Sequence, residues 1–252
     1  MSPRESGGFF FSEACNPCGL RTVYYAPRDL PGEDDMNAAC ISVSVLTLLA
    51  GMASPASAGS GRSISNVNGG VTASEGEAYD SVTTVNGDVR LGRGASAEEA
   101  KSVNGEVVLD TDAKVGNVST VNGSLRLGEG ASVTHEASTV NGGVQLAKRA
   151  HVGGGVATVS GEIELDGAEV AGALSTYNGN IELSSGAKVL GGIHIKKSRG
   201  WSWDSDHGRP PTVHICSTCV VEGELRFDRP VELRVDPGAK IGKVIGEDVK
   251  RL

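Results

Sequence analysis

The chain has few large side chains. Aromatic residues make up 4% of its 252 positions, and there are only three Met. A globular core built around bulky rings is therefore excluded. The apolar residues that remain are mostly Val, Leu and Ala, which suit a thin stacked interior. Basic charge is also short, because 23 Lys and Arg against 31 Asp and Glu leave a net charge of −8. That balance lacks the footprint of a nucleic-acid binder, so nucleic acid is left out as a partner. The apolar run from Ala38 to Met52 is too short to span a bilayer. Cysteine is sparse, with five residues, four of them in Cys-x-x-Cys pairs.

Glycine is plentiful, with 36 residues, and much of it falls in a period. Asn-Gly pairs begin at Asn68, Asn86, Asn104, Asn122, Asn141 and Asn178, and Ser160-Gly161 fills the one missing place. The steps are 18, 18, 18, 19, 19 and 18 residues. A fixed period of this length signals a repeat architecture. Asn-Gly between alternating apolar residues also signals a β-hairpin, but a finer period argues against a meander. Val85, Leu91, Ala97, Val103, Leu109 and Val115 recur every six residues, and a second apolar or small residue lies two positions before most of them. Residues i and i+2 of a strand share a face. Each six-residue unit is thus read as a short strand with two inward side chains and a corner, and three units close one triangular coil.

The expected fold is all-β: a single-stranded parallel β-helix with coils of about 18 residues. The general crossover preference leans right-handed. The Asn residues are expected to stack as a buried or half-buried amide ladder, with the following Gly supplying positive φ at the corner. One-residue insertions near 139 and 158 should bulge at corners. Lys101 and Glu169 are the only charges in the second inward column. A transmembrane β-barrel needs strands of about 9–11 residues and aromatic girdles, and neither is present.

The flanks differ from the repeat. Residues 1–35 have no period and read as an upstream extension foreign to the native protein. Residues 36–58 read as a signal peptide, with an apolar run followed by the cleavage site Ala56-x-Ala58. Residues 59–195 are the repeat domain and 196–212 an inserted, exposed loop. Residues 213–252 are a C-terminal β cap, of the kind a solenoid end requires.

Thr-Val-Asn-Gly-x-Val-x-Leu units behind a signal peptide resemble the DUF4097-type bacterial adhesins, over about residues 64–195. More loosely they are similar to bactofilin-like polymer-forming proteins. The ending from Val221 to Val235 resembles the tail of such envelope proteins. The resemblance implies a β-helix at the envelope or surface of a Gram-negative bacterium, and carries no catalytic residues or cofactor. A bactofilin proper is cytoplasmic, which the signal peptide contradicts.

Candidate chemistry lies where the repeat breaks. Cys216-Ser-Thr-Cys219 can close a local disulfide at a turn, plausible in an exported protein; a zinc site needs two further ligands. Trp201, Trp203, Asp204, Asp206 and His207 form a candidate glycan-binding loop, against the plainer reading of a solvated loop packed on the cap. Stacking should bring Glu164 near Glu182, beside Glu162, as an acid pair of the glycosidase kind, or as a solvated charged face. Arg90 and Arg126 share that column with Val108 and Gln145, which is no basic cluster. His135 and His151 fall at outward positions, without the cofactor groove of a hexapeptide acyltransferase. The functional expectation is a non-enzymatic, exported rod, adhesin or self-assembling scaffold. Its partners would be further copies through the solenoid ends, or an envelope glycan or protein. The alternative is a carbohydrate-binding or polysaccharide-active β-helix.

Overall fold

A coil of eighteen residues cannot bury its own apolar face, so stacking has to make the core. The computed structural model describes residues 61–197, 209–246 and 248–251, within one compact unit spanning 43–252. The proposed signal peptide and the Trp201–His207 loop lie outside the described residues. Among those described there is no helix. Parallel strands stack into a β-solenoid of about ten turns, one side of which is an unbroken ten-stranded sheet. At about 4.8 Å per coil the stack is roughly 43 Å long.

That ten-stranded sheet runs from Val71–Ala73 to Val249–Arg251. Its inward columns are Val89, Val107, Leu125 and Val144, with Leu91, Leu109, Leu127 and Leu146 two residues on; all are buried. We call it the leucine side. A second sheet covers the other two sides. The alanine side buries Ala95, Ala113, Ala131 and Ala150, followed by Ala97, Val115, Val133 and Val152. The threonine side buries Val82, Ala100, Val118 and Ala137, followed by Thr84, Ser102, Thr120 and Thr139.

The threonine side corrects the expected phase. Val85, Val103, Val121, Val140 and Val159 are only half-buried, and the Thr or Ser before each one is inside. The sides are not evenly spaced: Val82 to Val89 is seven residues, Val89 to Ala95 six and Ala95 to Ala100 five. They still sum to eighteen, but a slip of one residue exchanges the faces of a strand. The charged exceptions vanish with it. Lys101 is half-buried and paired with Glu99, while Ala100 and Ser102 are the buried residues on either side of it. Glu169 is likewise half-buried between buried Ala168 and Val170.

Each part of the Thr-Val-Asn-Gly unit has a separate task. The buried hydroxyl donates to the Gly carbonyl of the preceding coil: Thr84 to Gly69 O at 2.9 Å, Ser102 to Gly87 O at 2.9 Å, Thr120 to Gly105 O at 3.0 Å, Thr139 to Gly123 O at 2.9 Å. Without that partner a buried hydroxyl costs about 1–3 kcal/mol. The Asn column is exposed rather than buried, yet it forms the ladder. Asn86 Nδ2 donates to Asn68 Oδ1 at 3.1 Å, Asn104 to Asn86 at 2.9 Å, Asn122 to Asn104 at 2.9 Å and Asn141 to Asn122 at 3.0 Å. Water reaches it because the corner has no coil outside it.

The corner Gly is needed chiefly for close approach, and not, as expected, for positive φ throughout. Only Gly69 and Gly87 of this column have it, at 122° and 156°. A Cβ on Gly105, Gly123 or Gly142 would sit 1.9–2.0 Å from the Gly carbonyl oxygen of the coil before. Positive φ recurs instead at the turn leading into the alanine side, at Gly76, Gly94, Asp112, Gly130 and Arg149, with φ of 58–69°. There the Ala amide closes a four-residue turn, as when Ala113 N donates to Asp110 O at 3.1 Å.

The first insertion does fall at a corner. Val115 pairs with Val133 but Val118 pairs with Ala137, so the extra residue lies in 134–136. It splits the nine-residue strands, such as Lys114–Asn122, into Ser132–Val133 and Ala137–Asn141. The second insertion, expected near 158, falls at the same corner, in 153–155. The step from Val152 to Val156 is again four residues, against three from Val115 to Val118, and the next coil shortens between Leu165 and Val170.

Candidate functional site

The chain leaves the stack and rejoins it at defined places. Ile195 pairs with Thr176 in the threonine column, and the next described residue paired in register is on the leucine side, where Val213 pairs with Ile181. The insert therefore replaces one Asn-Gly corner, at the end of the Asn column. The strand Thr212–Ile215 then rejoins the leucine side in register, and two more coils follow.

The coil after the insert bridges the gap. Its corner is Asp228-Arg229-Pro230, and the Arg229 guanidinium reaches back to donate to Asn178 Oδ1 and, at 3.0 Å, to Tyr177 O. Arg229 thus supplies Asn178 with the donor that the next ladder Asn would have given. Beside it, His194 Nε2 lies 2.7 Å from Asp228 Oδ2, and Arg226 Nε donates to Asp228 Oδ1 at 3.2 Å. Burial alone would raise the Asp228 carboxyl, but the His194 and Arg226 contacts outweigh it and hold the group below its ordinary value. Nothing in the sequence pattern pointed to Arg229 or to this cluster. Their partners are one or two coils away, at separations of 34 and 51 residues.

The outward column of the leucine side runs Arg90, Val108, Arg126, Gln145, Glu164, Glu182, His214, Arg234, each in register with the next. Glu164 and Glu182 are direct neighbours, as stacking required. Each has another partner: Gln145 Nε2 donates to Glu164 at 3.2 Å, and His214 Nδ1 lies 3.9 Å from Glu182. His214 Nε2 faces Asp236 at 3.3 Å. Arg90 makes two bonds to Asp110, whose hydrogen bonds and charge raise the guanidinium further above its ordinary value. Arg126 Nε is 2.8 Å from Glu106 Oε1, a contact of charge more than of aligned hydrogen bonding. Val108, Asp110, Arg126, Gln145, Glu164 and Asp166 line a shallow, open groove of about 480 Å³. Glu162 stands exposed at the corner beside it.

Cys216 and Cys219 are joined by a disulfide, with Cα atoms 5.1 Å apart. They are the first and last residues of the turn into the alanine side, and Cys219 N donates to Cys216 O at 3.0 Å. Cys219 continues the buried column of Ala150, Ala168 and Ala187. His135 and His151 are exposed, as expected, and His151 lies 3.9 Å from Glu169. Among the described residues no three His, Cys, Asp or Glu are placed to hold a metal ion, and no helix is long and apolar enough to cross a membrane. The residues Trp201, Trp203, Asp204, Asp206 and His207 are outside the described set, so no contact of theirs enters the site. Against protein-family models, curated proteins and solved structures, the chain has no match.

Proposed function

We propose that this chain is an exported, non-enzymatic envelope protein whose stiff β-solenoid serves as an adhesin or self-assembling scaffold. The observation that carries the reading is how the outer surface is used. Along the leucine side the long polar side chains are engaged with one another across coils, as in Arg90 with Asp110, Arg126 with Glu106 and Gln145 with Glu164. A surface whose long polar side chains are taken up by one another suits a structural role. The Cys216–Cys219 disulfide supports an oxidising compartment, in line with the signal-like segment at 36–58. The resemblance to DUF4097-type adhesins and polymer-forming proteins points the same way. Fractionation with pull-down of envelope partners tests location and partner; recovery from the cytoplasm alone would overturn export. Sedimentation of the mature chain tests assembly, and a strict monomer at high concentration would remove the scaffold role while leaving adhesion.

A second reading is carbohydrate binding or polysaccharide chemistry. It is favoured by one observation, the in-register pair Glu164 and Glu182 beside an open groove. Glycan-array binding, repeated with Trp201→Ala and Trp203→Ala and with Glu164→Gln, separates the two. Absence of any bound glycan removes this reading.

A further inference from the structure

Asn-Gly is the sequence most prone to spontaneous deamidation, because Gly leaves its own backbone nitrogen free of steric cover. This chain carries six such pairs on one exposed column. The reaction has strict geometric needs. The Gly nitrogen, losing its proton, attacks Cγ of the Asn side chain. A C–N bond forms, the Cγ–Nδ2 bond breaks and ammonia leaves. Water then opens the resulting succinimide at either carbonyl, to give aspartate or isoaspartate.

The stack withholds both partners of that step. The Gly69 amide donates to Asn86 O at 2.7 Å, Gly87 to Asn104 O at 3.0 Å, Gly105 to Asn122 O at 3.2 Å, Gly123 to Asn141 O at 3.1 Å and Gly142 to Ser160 O at 3.0 Å. The attacking nitrogens of these five corners are thus bonded to the coil above. The side chains Asn86, Asn104 and Asn122 each donate to one neighbour and accept from another. Asn68 only accepts in the ladder, and its strand Ser63–Asn68 pairs on one side alone among the described residues. Asn141 donates to Asn122, but Ser160 stands above it where the next amide would be. Asn178 is held by Arg229 in place of a ladder neighbour, and the coil above Gly179 carries the insert.

We propose that the Asn-Gly corners are spontaneous modification sites which coil stacking keeps unreactive, and that succinimide and its products form first at the two ends of the Asn column, Asn68 and Asn178. Asn141 follows, and Asn86, Asn104 and Asn122 are slowest. Because each coil touches only its neighbours, the coil of Asn68, the first described one, opens without the rest, whereas an interior corner waits for a larger opening; Asn178 lies within the stack, and its distinction is that Arg229 replaces the ladder neighbour. The product is self-sealing. A carboxylate cannot donate to the amide below, and isoaspartate adds a carbon to the main chain at a corner with no room for it. A rod that stays stacked keeps its amides, and one that has opened is marked irreversibly.

The experiment is to age the purified full chain in mildly alkaline buffer, folded and in guanidinium, and to quantify aspartate and isoaspartate at each corner by peptide mapping. In guanidinium all six should react at similar rates. In the folded chain Asn68 and Asn178 should react at least several-fold faster than Asn104 and Asn122. Arg229→Met should speed Asn178 severalfold and leave Asn104 unchanged, with circular dichroism confirming that the coils remain. Equal rates at ends and interior, or equal rates folded and unfolded, would overturn the proposal. An unchanged Asn178 rate in the Arg229 variant would remove Arg229 from it.

Discussion

The coils before the insert and the coils after it close the same corner by different means. Before it, the corner is made of main chain and small groups: Gly against Gly, a buried hydroxyl on a Gly carbonyl, amide on amide. The threonine column turns to Ile195 just before the insert and continues as Phe227 after it, the corner becomes Asp228-Arg229-Pro230 held by long charged side chains, and a disulfide closes the turn into the alanine side. The first solution is steric and repeats unchanged. The second is electrostatic and covalent, and each contact is made once. Errors should therefore be severe and independent of conditions in the first region, mild and dependent on pH or redox state in the second.

The largest expected effect breaks the steric region. In Gly123→Ala the new Cβ would lie 2.0 Å from Gly105 O, so two coils must separate. We expect a loss of about 3 kcal/mol, read from the denaturation midpoint. Gly94→Ala is the control. It has positive φ but no atom within 4 Å of the new Cβ, and should lose about 1 kcal/mol from backbone strain. Equal losses would mean that close approach is not what the corner Gly provides.

Next in size is the disulfide. Cys216→Ala with Cys219→Ala restores the Ala that fills this column in the earlier coils. Closing so short a loop contributes about 2 kcal/mol, and the loss should be confined to the coils after the insert, as hydrogen exchange would resolve. Protection lost equally at residues 82–127 would show that the two regions unfold as one unit.

The rod itself was legible because a period of eighteen survives any error of phase. The phase of the threonine side was not. Thr and Val are both β-branched and similar in size, so alternation alone cannot say which of two adjacent columns is inside. The spacing of seven, six and five defeated a strict sixfold rule. Lys101 and Glu169 were the available signals, since a charge in an inward column costs too much to be an exception. Cys216 with Cys219 was legible as a local pair. Arg229 and the His194–Asp228 contact were not, because their partners are set by how the coil after the insert resumes its register.

A smaller pair of changes sharpens the comparison at the boundary. Thr120→Val removes the bond to Gly105 O and should cost about 1 kcal/mol. Thr176 lies fully buried in the same column, but its hydroxyl has no hydrogen-bond partner, and Ile195 follows it. Thr176→Val should thus cost nothing and gain up to about 1 kcal/mol. Thermal denaturation of both variants checks the order, and a larger loss at Thr176 than at Thr120 would invert it.

The smallest effect tests whether the region after the insert answers to pH. Asp228 is held below its ordinary value: burial opposes this, and the contacts with His194 and Arg226 win. A depressed carboxyl binds fewer protons folded than unfolded. Its contribution is therefore fully present above the ordinary value of 3.8 and is lost as pH falls through the lower folded value. With the side chain 35% exposed, solvent screening keeps the contribution under about 1 kcal/mol. Asp228→Asn should lower the stability of the later coils by that amount at neutral pH, and the difference from the native chain should close only below the ordinary carboxylate range. The corners Asn122-Gly123-Ser124 and Asn141-Gly142-Gly143, which carry no carboxylate, should show no matching change. A difference that stays constant through that acid range would assign the contact to packing rather than charge, and would remove pH from the contrast between the two regions.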